Sequence, residues 1–169
     1  IDTEPAAYSD LAYTDSFAIE LGRAFYEDAE RAFYVKLTGQ NYSSVEVIYA
    51  YAQNLNKDLI FALIEQESGF DPNVTSSNFD KNTGNILSTD RGLFQLNSNS
   101  YPNLSIEEFF QIEVNARIGI AHIQGELEHA NGNIRQALWA YNAGRNREVI
   151  PEKTLVYATK ILTRMKEIK

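Results

Sequence analysis

Apolar side chains recur at intervals of three and four residues along most of this 169-residue chain, which is the spacing of amphipathic helices. The first such segment runs from about Ser16 to Leu37, where charged side chains occupy the other sides. Its predicted apolar face consists of Phe17, Leu21, Ala24, Phe25, Ala32 and Phe33. Residues 1–15 show little periodicity, and we predict that they form an N-terminal tether.

Capping signals locate the next two helices. Ser43 and Glu46 have the spacing of a capping box in front of an apolar segment. Asn56 is predicted to cap a helix over residues 57–68, and Gly69 is predicted to end it.

The C-terminal half predicts further helices in the same way. Ser105 and Glu108 form a second capping box, and Pro151 stands where a last helix would begin. These helices are predicted at about residues 105–110, 114–129, 133–143 and 151–169.

Residues 73–98 depart from the helical pattern, because Asn, Ser, Thr, Asp and Gly crowd together there with few apolar positions. The turn sequence DKNTGN, residues 80–85, predicts a short β-hairpin. Neither a repeat nor a linker interrupts the chain. We therefore predict a mainly α fold, a single helical domain with one small β-hairpin.

Composition excludes several classes of function. The net charge of −8 argues against a nucleic-acid partner and against docking to an anionic membrane, since both need clustered Lys and Arg. No apolar run approaches the roughly 18 residues of a membrane-spanning helix. The chain has no cysteine, which excludes disulfides, thiolate metal sites and cysteine nucleophiles, and favours a bacterial protein over a small secreted eukaryotic one.

The segment IEQESGF, residues 64–70, places two carboxyl groups at the end of the third predicted helix. Glu67 continues the apolar face of Ile60 and Leu63, whereas Glu65 falls on a mixed face that reaches solvent. Desolvation and the unpaired carbonyls of the helix end would both raise the pKa of Glu67, which suits a proton donor near neutral pH. The alternative is a solvated glutamate in a frayed last turn.

Two motifs downstream bear on this choice. ESGFDP is followed by STDRGLFQLNS, residues 88–98, and later by ALWAYNAG, residues 137–144. The stretches NARIGIAHIQGELEHANGNIRQAL and PEKTLVYATKIL fit the same order. On these motifs the chain resembles the lysozyme-like lytic transglycosylases, of the SLT-domain and goose-type lysozyme superfamily, over about residues 44–165. The resemblance implies a lysozyme-like α+β fold with the hairpin beside an active-site cleft.

The resemblance also implies a division of the chain and a set of site residues. Residues 41–169 would be the catalytic domain, and residues 1–40 would add the tether and the first amphipathic helix. The matching site positions are Glu67 as the acid that also serves as base, Gln95 of GLFQ, Tyr141 and Asn142 of AYNAG, and Tyr157 as a further cleft aromatic. The alternatives without a functional role are that Tyr141 packs in the core and that Asn142 only ends a helix.

One departure from the family pattern concerns Asp90. Many members have GA-x-GLMQ where this chain has STDRGLFQLNS after a polar hairpin. That form resembles the secretion-associated specialised transglycosylases and also chicken-type lysozymes, which carry an aspartate at the position of Asp90. Asp90 is then either a second carboxylate beside the substrate or a turn residue that hydrogen-bonds its own backbone before Gly92. The AYNAG motif favours the turn residue.

For this family the implied activity is cleavage of peptidoglycan glycan strands at N-acetylmuramic acid, which gives 1,6-anhydro ends without a metal or cofactor. His122 and His129 are predicted to be structural, because no ligand cluster accompanies them. Two alternatives stay open: a muramidase that hydrolyses with Glu67 and Asp90, and a non-catalytic glycan-binding envelope domain. We expect an exported protein of the periplasm or cell envelope, with a leader removed before Ile1, and the added helix leaves room for a protein partner in envelope machinery.

Overall fold

The computed structural model describes the backbone of residues 8–168 and the side chains of residues 23–168. Within this part of the chain there are seven helices and one three-stranded antiparallel sheet of order β1-β2-β3. The helices are α1 (Tyr8–Thr38), α2 (Tyr42–Tyr51), α3 (Lys57–Ser68), α4 (Ile106–Phe110), α5 (Ile112–His129), α6 (Ile134–Ala143) and α7 (Glu152–Glu167). The strands are β1 (Thr75–Phe79), β2 (Ile86–Arg91) and β3 (Leu96–Asn97). The mainly α prediction is confirmed.

Helix α3 lies at the centre of the core. Its residues 59–64 are all buried, and α7 packs along it, while α6 packs against both α5 and α7. The Asn56 side chain accepts a hydrogen bond from the backbone N–H of Leu59, and Gly69 ends the helix with a φ of +60°. Both ends are where the sequence predicts them, because a capping amide and a left-handed glycine are local signals.

The predicted hairpin is formed by β1 and β2, and β3 adds a third strand that the sequence did not predict. In its turn, the Asp80 carboxylate accepts hydrogen bonds from the backbone N–H groups of Asn82 and Thr83. β3 is only two residues long, and it pairs with the end of β2 so that Asn97 stands opposite Asp90. Of the strand residues, Leu96 is the one that is buried.

The apolar face predicted for the first helix is wrong where it can be compared. Phe25 and Phe33 are 69% and 44% exposed, whereas Tyr34 is 1% exposed. The Tyr34 ring stacks on Phe61 of α3 with 4.0 Å between ring centroids, and its hydroxyl donates to Asp58 at 2.8 Å. Among the described side chains of α1, those that contact the rest of the domain lie in its last turns, so the apolar periodicity does not report what this part of the helix buries. The side chains of Phe17 and Leu21 lie outside the described residues.

Two further expectations for this region need correction. Helix α1 begins at Tyr8, so residues 8–15 are helical rather than a tether, and residues 1–7 are outside the description. The cap of α2 is Asn41, whose side chain accepts from the backbone N–H of Ser44 at 2.8 Å, and not the Ser43 box. The Glu46 carboxylate instead binds Arg31 of α1 at 2.8 Å. No helix in the described part of the chain is long and apolar enough to cross a membrane.

Candidate active site

A cleft of about 350 Å³ opens between the sheet and the helices, and its lining includes Glu67, Gln95 and Tyr141. A second cavity of about 680 Å³ continues from it along α7, and the two share Asn78, Asp90 and Asn142. Together they form one groove. We call its side formed by Glu67 and Tyr157 the helix wall, and its side formed by Asn78, Ser88, Asp90 and Asn97 the sheet wall.

Glu67 stands in the last turn of α3, where the buried face of that helix meets the groove. Burial raises the pKa of Glu67 to about 7. The Tyr157 hydroxyl donates a hydrogen bond to Glu67 Oε1 and opposes that rise in pKa, whereas the nearby charge of Asp90 adds to it. The carboxyl group therefore exchanges its proton near neutral pH, as a group that both donates and accepts protons must.

Glu65, two residues earlier, has a different environment. Its side chain is 35% exposed, and Arg164 Nε of α7 donates to its Oε2 at 2.6 Å. The prediction that Glu65 faces the more open side is confirmed, and the structure adds an ion pair between α3 and α7. One helix end thus carries two glutamates, of which only Glu67 lines the groove.

Helix α7 completes the helix wall. Tyr157 is 8% exposed, and burial raises the pKa of its phenol well above the usual value. The hydroxyl therefore keeps its proton and can donate a hydrogen bond to Glu67. One turn earlier, the buried Thr154 hydroxyl donates to Asn142 Oδ1 at 2.8 Å. This bond occupies the oxygen of the Asn142 amide, so its nitrogen is the group left for a ligand in the groove.

The position of Tyr141 suits both of the roles that the sequence left open. Its ring packs against the core and lines the cleft, and its hydroxyl donates to the carbonyl of Phe94 at 3.1 Å. The His122 ring lies against it with 4.6 Å between centroids. His122 also lines the cleft, and its Nε2 lies 3.3 Å from the buried Glu126; that His122 is structural stays a prediction.

Gln95 lines the cleft from a strained loop. It has a φ of +47°, an uncommon value for a residue with a Cβ, and such values cluster at functional sites. Its side-chain nitrogen donates to the carbonyls of Val74 and Gly92 at 3.1 and 3.0 Å. The loop thus uses the amide nitrogen of Gln95 and leaves its oxygen as an acceptor in the cleft.

Asp90 does not hydrogen-bond the backbone of its own turn, so that prediction is wrong. Its Oδ1 accepts from Asn97 Nδ2 at 2.7 Å and its Oδ2 accepts from Asn78 Nδ2 at 2.8 Å. The same two amide nitrogens also donate to Ser88 Oγ, at 2.9 and 3.1 Å. Side chains on one face of a sheet meet across strands, and the groove side of β2 therefore holds Asp90 against its neighbours.

Residues 44–162 match the family described as "Transglycosylase SLT domain". The chain belongs to this family. It is also similar to a solved structure of an inactive mutant of the lytic transglycosylase Slt from Pseudomonas aeruginosa, at 22% identity and a TM-score of 0.56. That match covers 73% of this chain and 23% of the other, so this chain spans about a quarter of that protein. The structural likeness concerns the fold, and it confirms the lysozyme-like prediction.

Every predicted site residue lies within the matched SLT domain, and the groove gathers all of them. The sequence missed other residues that line the groove, among them Asn78, Asn97, Tyr101 and His122. The two asparagines lie in phase with Asp90 across the sheet, but only the strand register shows this, so the sequence carried no local signal for them. Within residues 23–168, no three His, Asp or Glu side chains come close enough together to hold a metal ion.

Asn115 of α5 is a positioning residue of the SLT domain that sequence reasoning did not find. It is 1% exposed, its Oδ1 accepts from the backbone N–H of Phe94 at 2.9 Å, and its Nδ2 donates to the carbonyls of Arg91 and Phe109 at 3.0 and 2.7 Å. Gly92 leaves room for it, because a Cβ there would lie 2.3 Å from Asn115 Nδ2. The sequence signal for Asn115 was an amide side chain at a position on the apolar face of the predicted helix.

Proposed function

We propose that this chain is the catalytic unit of a peptidoglycan lytic transglycosylase, with Glu67 as the single acid that afterwards acts as base. The observation that supports it most directly is the pKa of about 7 of Glu67, in a groove of an SLT domain. A binding module has no need for a carboxyl group that titrates near neutral pH. The family and the mechanistic groups thus point to one reaction class.

In the first step, protonated Glu67 gives its proton to the glycosidic oxygen that leaves C1 of N-acetylmuramic acid. The bond between C1 and that oxygen breaks, and the N-acetylglucosamine side departs as an alcohol. The acetamido group of the substrate stabilises the positive charge at C1, which is the substrate-assisted form of glycoside cleavage. The Tyr157 hydroxyl stabilises the Glu67 carboxylate that remains, since it donates directly to it.

In the second step, the Glu67 carboxylate takes the proton of the C6 hydroxyl of the same muramic acid. The C6 oxygen attacks C1 and closes the 1,6-anhydro ring, so no water is consumed and Glu67 regains its proton. Gln95, Tyr141 and Asn142 would hold the sugars, because they present an amide oxygen, an aromatic face and an amide nitrogen to the groove.

Hydrolysis is the second candidate, and the position of Asp90 favours it over other rivals. Asp90 lines the same cleft as Glu67 and raises the pKa of that group, so a second carboxylate is near the first. As a muramidase, the protein would use Asp90 as nucleophile or as electrostatic stabiliser of the sugar cation. A non-catalytic glycan-binding domain is the third candidate.

We place the protein in the bacterial cell envelope or periplasm, where its proposed substrate lies. Residues 41–169 would be the catalytic domain, and residues 1–40 an added segment whose last turns complete the core of that domain and through which a protein of an envelope machine could bind. The exposed Phe25 and Phe33 of α1 are consistent with such a contact.

Mass spectrometry of the fragments released from purified peptidoglycan tests the proposal, with Glu67→Gln as the control protein. We expect fragments that end in 1,6-anhydromuramic acid, lighter by one water than reducing sugars. Reducing ends from the parent protein would instead make it a hydrolase and bring Asp90 into the mechanism. If the parent protein releases no fragments, the remaining candidate is a non-catalytic glycan-binding domain.

A further inference from the structure

The part of the groove along α7 differs in charge from the rest. Two lysines of α7, Lys153 and Lys160, line it together with Tyr157 and Asn142. Among the residues that the structure describes, the adjoining cleft is lined by Glu67 and Asp90 and by no lysine or arginine. Two cations on one stretch of groove stand out in a chain whose net charge is −8.

Helix geometry places these lysines close to the reacting carboxyl group. Residues 153, 157 and 160 are separated by four and three positions, so they share one face of α7. Tyr157 donates to Glu67, and each lysine therefore extends from a point about one helical turn, or ~5 Å, from the residue that holds the acid. An ammonium on a four-carbon stem reaches past that distance into the groove.

Both ammonium groups are available for a ligand. Among the described residues, neither lysine has a carboxylate oxygen within 4.0 Å, although Glu152 and Asp90 line the same groove. Both oxygens of Asp90 already accept from amide nitrogens of the sheet wall. By contrast, Arg145 and Arg164 are paired with Glu126 and Glu65.

A glycan strand of N-acetylated sugars is neutral at its rings, so sugar recognition does not require two cations. Its negative charges are the carboxylates of the peptide stems that muramic acid carries. A stem leaves the same muramic acid whose C1 would lie at Glu67, and the lysines stand beside that position.

We propose that Lys153 and Lys160 form a carboxylate-binding subsite for the peptide stem, so that stem-bearing strands are the preferred substrate. This inference rests on the proposed function for its choice of ligand. Exposed charge pairs are individually weak and salt-sensitive, so each lysine contributes a modest factor.

The test measures binding of soluble four-sugar strands to the Glu67→Gln protein, with the stems intact or removed by an amidase that leaves the lactyl carboxylate. We expect stem-bearing strands to bind about tenfold more tightly. Lys153→Gln and Lys160→Gln, each added to the Glu67→Gln protein, should each weaken that binding about threefold to fivefold at low salt and have little effect on stripped strands. Lys36→Gln, on the exposed side of α1, is the matched control and should change neither.

Equal weakening for both kinds of strand would overturn the inference, because it would assign the lysines to the sugar or the lactyl group. So would equal affinity of both strands for the protein with its lysines intact. The proposed function fails on a separate reading, the absence of strand cleavage by the parent protein. If binding depends on the lysines but the parent protein cleaves no strands, the subsite is supported and the proposed activity is rejected.

Discussion

The two walls of the groove control their carboxyl groups by opposite means. On the helix wall, Glu67 lies in the last turn of a helix whose residues 59–64 are buried, and burial is the main cause of its raised pKa. On the sheet wall, Asp90 lies on a partly exposed strand, and two amide nitrogens bind its oxygens. One wall makes a carboxyl group titratable near pH 7, and the other holds a carboxylate in place by hydrogen bonds.

The difference predicts which wall tolerates change. Replacing the Glu67 side chain, whose chemistry depends on burial, should abolish its proton transfer. Replacing one member of the hydrogen-bonded network around Asp90 should remove one hydrogen bond and leave the others. Four substitutions test this contrast, three of them beside a comparison variant, and they are ordered from the largest expected effect to the smallest.

Glu67→Gln should lower the rate of strand cleavage by at least about a thousandfold, because it removes the proton that the leaving oxygen needs. Glu65→Gln is the matched control and should keep most of the activity, since Glu65 only pairs with Arg164. Release of soluble fragments from peptidoglycan measures both. Similar rates for the two variants would remove Glu67 from the mechanism.

The fold should survive Glu67→Gln, and the sign of the stability change follows from the pKa. The folded-state pKa of about 7 is above the unfolded value of 4.5, so the native protein loses stability as the pH rises from 4.5 through 7. A glutamine does not ionise. The variant should therefore melt a few degrees higher than the parent at pH 8 and close to it at pH 5, in a thermal-unfolding experiment.

Asn115→Ala should lower the free energy of unfolding by about 3 kcal/mol, which is roughly a hundredfold in the equilibrium constant, because three backbone groups lose a buried partner. Asn97→Ala, on the partly exposed sheet wall, should lose about 1 kcal/mol. Urea titration gives both values. Equal losses of unfolding free energy in the two variants would contradict the expectation that the buried asparagine contributes more to stability.

Tyr157→Phe should reduce the rate at pH 6 by about tenfold, because the carboxylate formed by proton donation loses a charge-assisted hydrogen bond. For the parent, kcat/KM should fall above about pH 7 as Glu67 loses its proton. The tyrosine hydroxyl lowers the pKa of Glu67, so its removal should move this fall to higher pH.

The matched control is Tyr49→Phe, which removes a hydroxyl that binds Glu30 away from the groove. It should leave the pH profile unchanged. A profile of Tyr157→Phe that moved to lower pH would contradict the assigned hydrogen bond.

Asp90→Asn should change the rate about threefold or less if Glu67 acts alone. Because the charge of Asp90 raises the pKa of Glu67, the fall in kcat/KM should move slightly to lower pH. A loss of a hundredfold or more, together with reducing ends in the products, would show instead that the sheet wall takes part in hydrolysis.

The Glu67 part of the helix wall was predictable from sequence, because its signals are local, whereas Tyr157 came from the family resemblance. Asn56, Gly69 and the spacing of Glu67 on the apolar face all lie within one helix, and the structure has that helix at residues 57–68 as predicted. The capping box of Ser105 and Glu108 is a similar case, and both of its hydrogen bonds form.

The sheet wall and its support were not predictable, because their contacts join distant residues. Asn115 binds backbone groups 21 and 24 positions away, and no short window contains both partners. Asp90 was assigned to its own turn because cross-strand neighbours depend on a register that only pairing sets. For α1, the apolar periodicity was real, but the described aromatic side chain that it buries in the core is Tyr34.

The contact of Tyr34 with Phe61 has a practical consequence for anyone who shortens this protein. The family match begins at residue 44, yet trimming the chain there would leave Phe61 without its stacked ring and Asp58 without its phenol. It would also remove Gln40, whose amide donates to the carbonyl of Phe70, three residues after Glu67. The smallest autonomous piece should therefore begin before residue 30, and the homology boundary is not a cutting site.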